Sequence, residues 1–139
     1  MNIYRHIVLM IIMLLSVSIR AEMVVIINAE NEVEKLNKEE VIGLFMGRNN
    51  AFPNGTNAFP FDQDVQSDSR NDFYLKLTKK SAVQINAYWA RLVFSGRATP
   101  PPALSNSEVT LSTVRENPGA IAYIDSKDID SSVKVVYRF

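Results

Sequence analysis

The distribution of apolar residues predicts β-strands near both ends of the chain and helices between them. Met23 to Ile27 is a continuous apolar run rich in β-branched residues, which is typical of a buried, central strand. Two later apolar runs, Ala120 to Ile124 and Val133 to Tyr137, predict two more strands. The short aromatic run from Ala58 to Gln63 predicts a fourth, with Pro60 near its start or on a sheet edge.

Four stretches carry the signals of helices. Capping boxes at Asn37 and Ser81 open two helices, which Gly47 and Gly96 are expected to end. In the helix that Ser81 opens, apolar residues recur at helical spacing and predict a core-facing stripe of Ile85, Tyr88, Trp89, Leu92 and Val93. The other two helices are predicted over about Ser69 to Thr78 and over Ser107 to Glu116.

The order of these elements is β-α-β-α-α-α-β-β, which predicts an α/β fold with helices packed on the faces of a sheet. Arg48 to Asn57 is a turn-rich loop, and Pro100 to Pro102 cannot be helical and forms a stiff extended crossing. Residues 22–139 are enough for one domain that buries about two-thirds of its unfolded surface.

The first residues predict a secretory signal peptide over residues 1–21. Arg5 and His6 give a basic start, and Ile7 to Leu15 is an apolar run that is too short to span a bilayer. Small residues follow, so cleavage is expected after Ser18 or after Ala21. The alternative is an uncleaved membrane anchor. With cleavage, we expect a periplasmic protein.

The composition excludes several kinds of chemistry. The chain has no cysteine, and its single histidine, His6, lies in the segment expected to be removed. The mature chain therefore has no thiol or imidazole for nucleophilic catalysis, base catalysis or zinc ligation, and we predict no enzyme activity, no metal and no cofactor. The whole chain has 15 basic and 15 acidic residues, and loss of Arg5 and Arg20 would leave 13 against 15. That balance does not suggest nucleic-acid binding.

The best candidate for a binding site is the point where the strand ending at Gln63 meets the next helix. Ser67, Asp68, Ser69 and Arg70 stand at this helix N-terminus, where unpaired backbone N–H groups and the helix dipole favour an anion. Serine hydroxyls could donate hydrogen bonds, and Arg70 could add a charge-assisted contact. The competing interpretation is that these residues only cap their own helix, and Asp68 would repel an anion.

Three segments of the sequence resemble a known family. EEVIGLFMGR, AYWARLVFSG and NPGAIAYID are similar to segments of the phosphate-type periplasmic substrate-binding proteins of ABC transporters, and to a short, single-lobe branch of that superfamily. The resemblance covers about residues 23 to 136. It implies a fold like one lobe of a type II periplasmic binding protein, with a mixed sheet flanked by helices.

The resemblance also implies a half-site for phosphate. Ser67 and Ser69 fall on hydroxyl positions of the family pattern, Gln63 falls where the family has a strand-end arginine, and Asp68 falls where it has glycine. Full-length members close two lobes over the ligand and deliver it to a membrane permease. A single lobe leaves the site open to water, so we expect weak binding.

Two functions follow from these observations. The first is an exported, non-enzymatic protein that binds phosphate or another oxyanion through Gln63, Ser67, Asp68, Ser69 and Arg70, as part of ABC-type uptake with a permease or another envelope protein. The alternative is an envelope interaction module that keeps the fold but binds a protein partner or a second copy of itself. Its contact surfaces would be the Arg48 to Asn57 loop with Phe52 and Phe59, and the Pro100 to Pro102 segment.

Overall fold

The computed structural model describes residues 22–139, so the expected signal peptide and its cleavage site lie outside the described residues. Within them, the elements in chain order are β1 (Met23–Asn28), α1 (Lys38–Phe45), β2 (Phe59–Pro60), β3 (Asp62–Gln63), α2 (Asp68–Thr78), α3 (Ala82–Phe94), β4 (Ala103–Leu104), α4 (Ser107–Glu116), β5 (Ala120–Asp125) and β6 (Val133–Arg138). A short 3₁₀ turn, Ser126–Asp128, follows β5. The predicted α/β fold class is confirmed, and the structure adds one strand, β4, to the predicted order.

The larger sheet has four strands in the order β2-β5-β1-β6. The strand β1 pairs antiparallel with both β5 and β6, whereas β2 pairs parallel with β5. The sheet is therefore mixed, as expected. All six residues of β1 are buried. A strand with neighbours on both sides and helices on both faces has no polar face, which explains its continuous apolar run.

The strand predicted over Ala58 to Gln63 is divided between two sheets. Its first part, β2, pairs with β5, and its second part, β3, pairs parallel with β4 in a separate two-stranded sheet. The strand changes its pairing partner between two consecutive residues. The Phe61 N–H donates to Ile121 O at 2.8 Å, and the Asp62 N–H donates to Pro102 O at 2.8 Å. Strand β4 was not predicted, because its two residues directly follow three prolines that give no strand signal.

The helix boundaries follow the predicted caps. Asn37 and Ser81 each form a complete capping box with the residue three positions later. Gly47 and Gly96 follow the ends of α1 and α3 with φ of +71° and +68°, a region that glycine enters without strain. The four expected helices are therefore all present in residues 22–139.

Helices cover both faces of the sheet. On one face, α1, α2 and α3 pack against the sheet in the larger cluster of buried residues, which includes Phe45, Phe73 and Trp89. On the other face, Val114 of α4 packs in a smaller cluster with Val24 and Ile26 of β1. No helix within residues 22–139 has the length and apolarity needed to cross a membrane.

Candidate functional site

A cavity of about 290 Å³ lies where three strands end. Gln63 is the last residue of β3, Leu104 the last of β4 and Asp125 the last of β5, and all three line the cavity. Ligands of α/β proteins usually bind at this carboxyl edge of the sheet. The start of α2 lies at this edge, because Ser67 and Ser69 also line the cavity.

Two helices begin at the cavity. Ser67 caps α2 and Asn106 caps α4, and both residues line the cavity together with Ser69 and Ser107 of the first turns. Among the hydrogen bonds of residues 22–139, the backbone N–H groups of Ser69 and Ser107 have no acceptor. Unpaired N–H groups and the positive end of the helix dipole occur at the start of every helix. In this protein two helix N-termini, those of α2 and α4, line the same cavity.

The side chains of Ser67 and Gln63 are occupied by contacts within the protein. The Ser67 hydroxyl accepts a hydrogen bond from the Arg70 N–H at 3.3 Å and donates one to Gln63 Oε1 at 2.9 Å. Gln63 Nε2 donates to the carbonyl of Tyr123 at 3.0 Å. Both residues line the cavity, but in this conformation they tie the α2 N-terminus to β3 and β5. The observed contacts of Ser67 are therefore those of a residue that caps its own helix.

Ser69 and Asp68 differ in their relation to the cavity. Ser69 is half-buried and lines the cavity, and its hydroxyl has no partner among the hydrogen bonds of the described residues. Asp68 is exposed and is not among the residues that line the cavity. Of the two predicted hydroxyl donors, Ser69 therefore has the free hydroxyl.

The guanidinium of Arg70 lies inside the protein rather than on the cavity. Arg70 is 3 % exposed, its Nε lies 3.2 Å from Asp62 Oδ2, and its Cζ lies 5.1 Å from the centre of the Tyr74 ring. Its Nη1 is buried and has no hydrogen-bond partner within residues 22–139. The structure therefore does not bring Arg70 together with Ser67 and Ser69 as a cavity donor.

The carboxylate that holds Arg70 is Asp62, which was not predicted as a site residue. Asp62 is buried and accepts hydrogen bonds from Arg70 Nε, from the Tyr74 hydroxyl at 2.9 Å and from the Tyr123 hydroxyl. Burial first, and then the charge of Asp62, raises the pKa of both tyrosines above 10.0. A charged residue within a predicted strand was the available signal, since a buried carboxylate requires partners.

Three further charged residues of the cavity come from the end of β5 and the turn that follows it. Lys127 is the only cation among the described residues that line it, and Asp64, Asp125 and Asp128 also line it. Asp125 Oδ1 accepts from the Lys127 N–H at 3.0 Å, and Asp128 Oδ2 accepts from the Ser107 hydroxyl at 3.0 Å. Within residues 22–139, no group of three or more acidic, histidine or cysteine residues is placed to hold a metal ion.

A larger groove of about 720 Å³ lies elsewhere, between β2 and the proline segment. Phe59, Trp89 and Pro100 to Pro102 line it, and none of its lining residues is charged. It therefore does not suit an anion, although it is the larger space. Phe52, which we expected on a contact surface, is 2 % exposed and belongs to the core, so that expectation is wrong.

Solved structures of phosphate-binding proteins share this fold. An ABC-type phosphate transport receptor from Vibrio cholerae matches 84% of this chain with a TM-score of 0.66 and 16% identity. A protein named as a phosphate ABC transporter substrate-binding protein from Clostridium perfringens, with bound phosphate, matches 84% with a TM-score of 0.67 and 18% identity. PstS from Borrelia burgdorferi matches 84% with a TM-score of 0.58 and 10% identity.

These matches have a limited extent. They cover 45%, 44% and 46% of the three solved chains, so this chain spans less than half the length of each. No family model matches the sequence. No curated protein matches it either. At this level of identity the likeness establishes a partial periplasmic-binding-protein fold, which confirms the fold that the sequence resemblance implied.

Proposed function

We propose that this chain is an exported, non-enzymatic binding protein that takes a small oxyanion such as phosphate in the cavity where α2 and α4 begin. The observation that carries the proposal is the meeting of two helix N-termini at one cavity on the carboxyl edge of the sheet. Phosphate-binding proteins with the same fold support the choice of ligand.

The anion would be held by donors that have no partner within the described residues. These are the backbone N–H groups of Ser69 and Ser107, the Ser69 hydroxyl and the Lys127 ammonium group. Gln63 and Ser67 would act mainly by fixing the start of α2, because their own polar atoms already bond one another. Direct ligand contacts from Asp68 and Arg70 stay predictions, and neither residue lines the cavity.

The charge of the cavity predicts weak binding. Asp64, Asp125 and Asp128 repel a fully ionised anion, while Lys127 and the two helix ends attract it. No guanidinium group lines the cavity among the described residues, because the residue at the strand end is Gln63 and Arg70 is paired with Asp62. Screening by water at an open cavity weakens each contact further. We therefore expect dissociation constants on the order of millimolar for phosphate, or about 4 kcal/mol of binding free energy.

The chain spans less than half the length of the solved phosphate-binding structures that it resembles. We propose that it contributes to ABC-type uptake of the anion together with a permease or another envelope protein. An interaction module remains the alternative function, with the groove beside Pro100 to Pro102 as a candidate contact surface.

The proposal is tested by titrating phosphate into the ¹⁵N-labelled product of the whole 139-residue sequence and following the backbone amide signals by NMR. We expect saturable shifts of the Ser69 and Ser107 amides, with smaller shifts of the Ala82 amide at the start of α3. Helix α3 also begins with a side-chain cap, from Ser81, but lies away from the cavity, so it is the internal control. Sulfate is the matched second anion.

Two results would overturn the proposal. One is the absence of saturable shifts at millimolar phosphate. The other is an equal response at Ala82, since every helix N-terminus attracts anions to some extent and an equal response would mean no selective site. The variant Ser69→Ala should weaken binding about 2-fold to 10-fold through loss of one hydroxyl donor, whereas Ser95→Ala at the end of α3 should leave it unchanged.

A further inference from the structure

A second polar cavity, of about 630 Å³, lies at the edge of the main sheet opposite the candidate anion site. Three loops form it: the one that follows β1, the turn before β2 and the turn between α4 and β5. Because β1 runs antiparallel to β5 and β2 runs parallel to it, the end of β1 and the starts of β2 and β5 meet at this edge. The residues that line the cavity include four side-chain amides, those of Asn31, Asn54, Asn57 and Asn117.

Asn31 supplies a fixed and nearly buried donor. It is 9 % exposed, and its Oδ1 accepts a hydrogen bond from the Val33 N–H at 3.0 Å. Because only an oxygen can accept this bond, the nitrogen and the oxygen of the amide cannot exchange places. The Nδ2 group has no acceptor within residues 22–139, and Asn31 lines the cavity. A ligand oxygen in the cavity would therefore complete the hydrogen bonding of a buried amide.

Phe59 provides an aromatic surface beside these amides. Its backbone N–H donates to Gly119 O at 2.8 Å, yet the residue is 51 % exposed. The ring lies against Gly119, since its Cδ2 is 2.7 Å from the position that a Cβ on this glycine would take. The absence of a side chain at Gly119 lets the ring approach the backbone. A ring that is held in place but half exposed can stack on a ligand.

The charges of the cavity do not suit an anion. Glu30 and Glu32 are the only charged residues among the described residues that line it, and both are exposed. The side chains of Asn57 and Asn117 make no hydrogen bond within residues 22–139, so their amides are free to donate and to accept. Such amides and carboxylates suit a ligand whose own groups can both donate and accept, as hydroxyl groups do.

We infer that this cavity binds a neutral saccharide, with a sugar ring stacked on Phe59 and its hydroxyl groups bonded to the asparagine amides. A sugar ring combines an apolar face of C–H groups with a rim of hydroxyl groups, which matches an aromatic surface surrounded by amides. An entirely apolar ligand would cover the four amides without pairing them, which costs free energy.

The cavity also has space for a saccharide of several units. Phe59 and Asn117 line both this cavity and the uncharged groove of about 720 Å³ beside Pro100 to Pro102. The two spaces are therefore adjacent, and a short neutral chain of sugars can extend from one into the other past the Phe59 ring. This gives the groove an occupant that does not need a charge.

Titration of oligosaccharides into the ¹⁵N-labelled product of the whole 139-residue sequence tests the inference by NMR. The probes are maltotriose and the trimer of N-acetylglucosamine, added separately. With at least one of them we expect saturable shifts of the Asn31 side-chain amide and of the Asn57 and Gly119 backbone amides. The backbone amides of Ser69 and Ser107 belong to the other cavity and should not shift.

An anionic sugar provides the matched ligand control. The trimer of galacturonic acid should bind about 2-fold to 5-fold more weakly than the neutral trimers at low salt, because Glu30 and Glu32 repel it. Tighter binding of this anion would contradict the assignment to neutral sugars.

Two variants remove the proposed contacts. Phe59→Leu should weaken saccharide binding about 3-fold to 10-fold through loss of stacking. Asn117→Ala should weaken it about 2-fold to 10-fold through loss of an amide that makes no hydrogen bond within the described residues. Phe94→Leu is the matched control, since Phe94 is 96 % exposed and does not line the cavity. Circular dichroism checks that each variant is folded.

Three results would overturn the inference. The first is the absence of saturable shifts with both neutral trimers at tens of millimolar. The second is equal affinity of Phe59→Leu and the unchanged protein, which would mean that the ring takes no part. The third is a shift of the Asn57 and Gly119 amides on raising the protein concentration, with no further shift on adding sugar, which would assign this surface to a second copy of the chain.

Discussion

Asp62 and Arg70 form an ion pair inside the protein, with Arg70 Nε 3.2 Å from Asp62 Oδ2 and side-chain exposures of 6 % and 4 % respectively. The pair joins β3 to the first turn of α2, and the adjacent residues Gln63 and Ser69 line the cavity where that helix begins. A buried carboxylate is costly unless it is paired, whereas an anion in the open cavity is solvated by water. Arg70 therefore stabilises the protein more by pairing with the buried Asp62 than by contacting an anion in the cavity, which explains why its guanidinium lies inside the protein.

Removal of the Asp62 charge should destabilise the protein strongly. In Asp62→Asn, Arg70 stays buried without a counter-charge and the two tyrosine hydroxyls lose their ionised acceptor, so we expect a loss of about 3–5 kcal/mol in the free energy of unfolding. Urea unfolding followed by circular dichroism measures the loss. Asp72→Asn, which breaks the exposed pair with Lys76, is the control and should cost less than about 1 kcal/mol.

Stability should fall as the pH rises above about 10. Burial and the charge of Asp62 hold the pKa of Tyr74 and Tyr123 above 10.0 in the folded protein. Above that pH the unfolded chain loses protons that the folded protein keeps, so each tyrosine lowers the stability by about 1.4 kcal/mol per pH unit. Below about pH 9 neither tyrosine makes the free energy of unfolding depend on pH.

The variant Tyr74→Phe separates this effect from general alkaline unfolding. It should lower the free energy of unfolding at neutral pH by about 1–2 kcal/mol through loss of one hydrogen bond. It should also reduce the fall of this free energy above about pH 10 by about 1.4 kcal/mol per pH unit. Urea unfolding at several pH values between about 8 and 11 measures both quantities. An unchanged slope in the variant would contradict the assignment of the slope to these buried tyrosines.

Glycine at position 47 should be more important than glycine at position 96. Both have positive φ, but a Cβ on Gly47 would lie 2.8 Å from Trp89 Cη2, whereas a Cβ on Gly96 would meet nothing within 4 Å. We expect Gly96→Ala to cost about 1 kcal/mol from backbone strain alone, and Gly47→Ala to cost about 2–4 kcal/mol because Trp89 must also move. Equal losses in thermal or urea unfolding would show that the Trp89 contact relaxes freely.

The cap of α2 should matter for ligand binding as well as for stability. Ser67→Ala removes the side-chain acceptor for the Arg70 N–H and the link to Gln63, so we expect a loss of about 1–2 kcal/mol in unfolding free energy and weaker phosphate binding. Ser81→Ala removes the corresponding cap of α3 and is the control. It should cost a similar amount of stability and leave the phosphate response at Ser69 and Ser107 unchanged.

Much of the candidate site was predictable from local sequence. Ser67 and Ser69 mark a helix start after an apolar strand, and order along the chain is enough to place that start at the carboxyl edge of a sheet. The contribution of α4 was not predictable in the same way. Ser107 and Lys127 lie about 40 and 60 residues beyond Ser67, and only the pairing of β3 with β4 and the position of β5 bring them to the cavity.

The sequence alone determined the four helices and the three main strands of this protein, because hydrophobic period and capping residues act over a few positions. The central place of β1, the four helices and the glycines that follow α1 and α3 all depend on such local rules. Tertiary structure alone decided what the polar side chains do. A buried carboxylate at Asp62 takes Arg70 and two tyrosines from different elements, since a charge removed from water must find its partners wherever the fold supplies them.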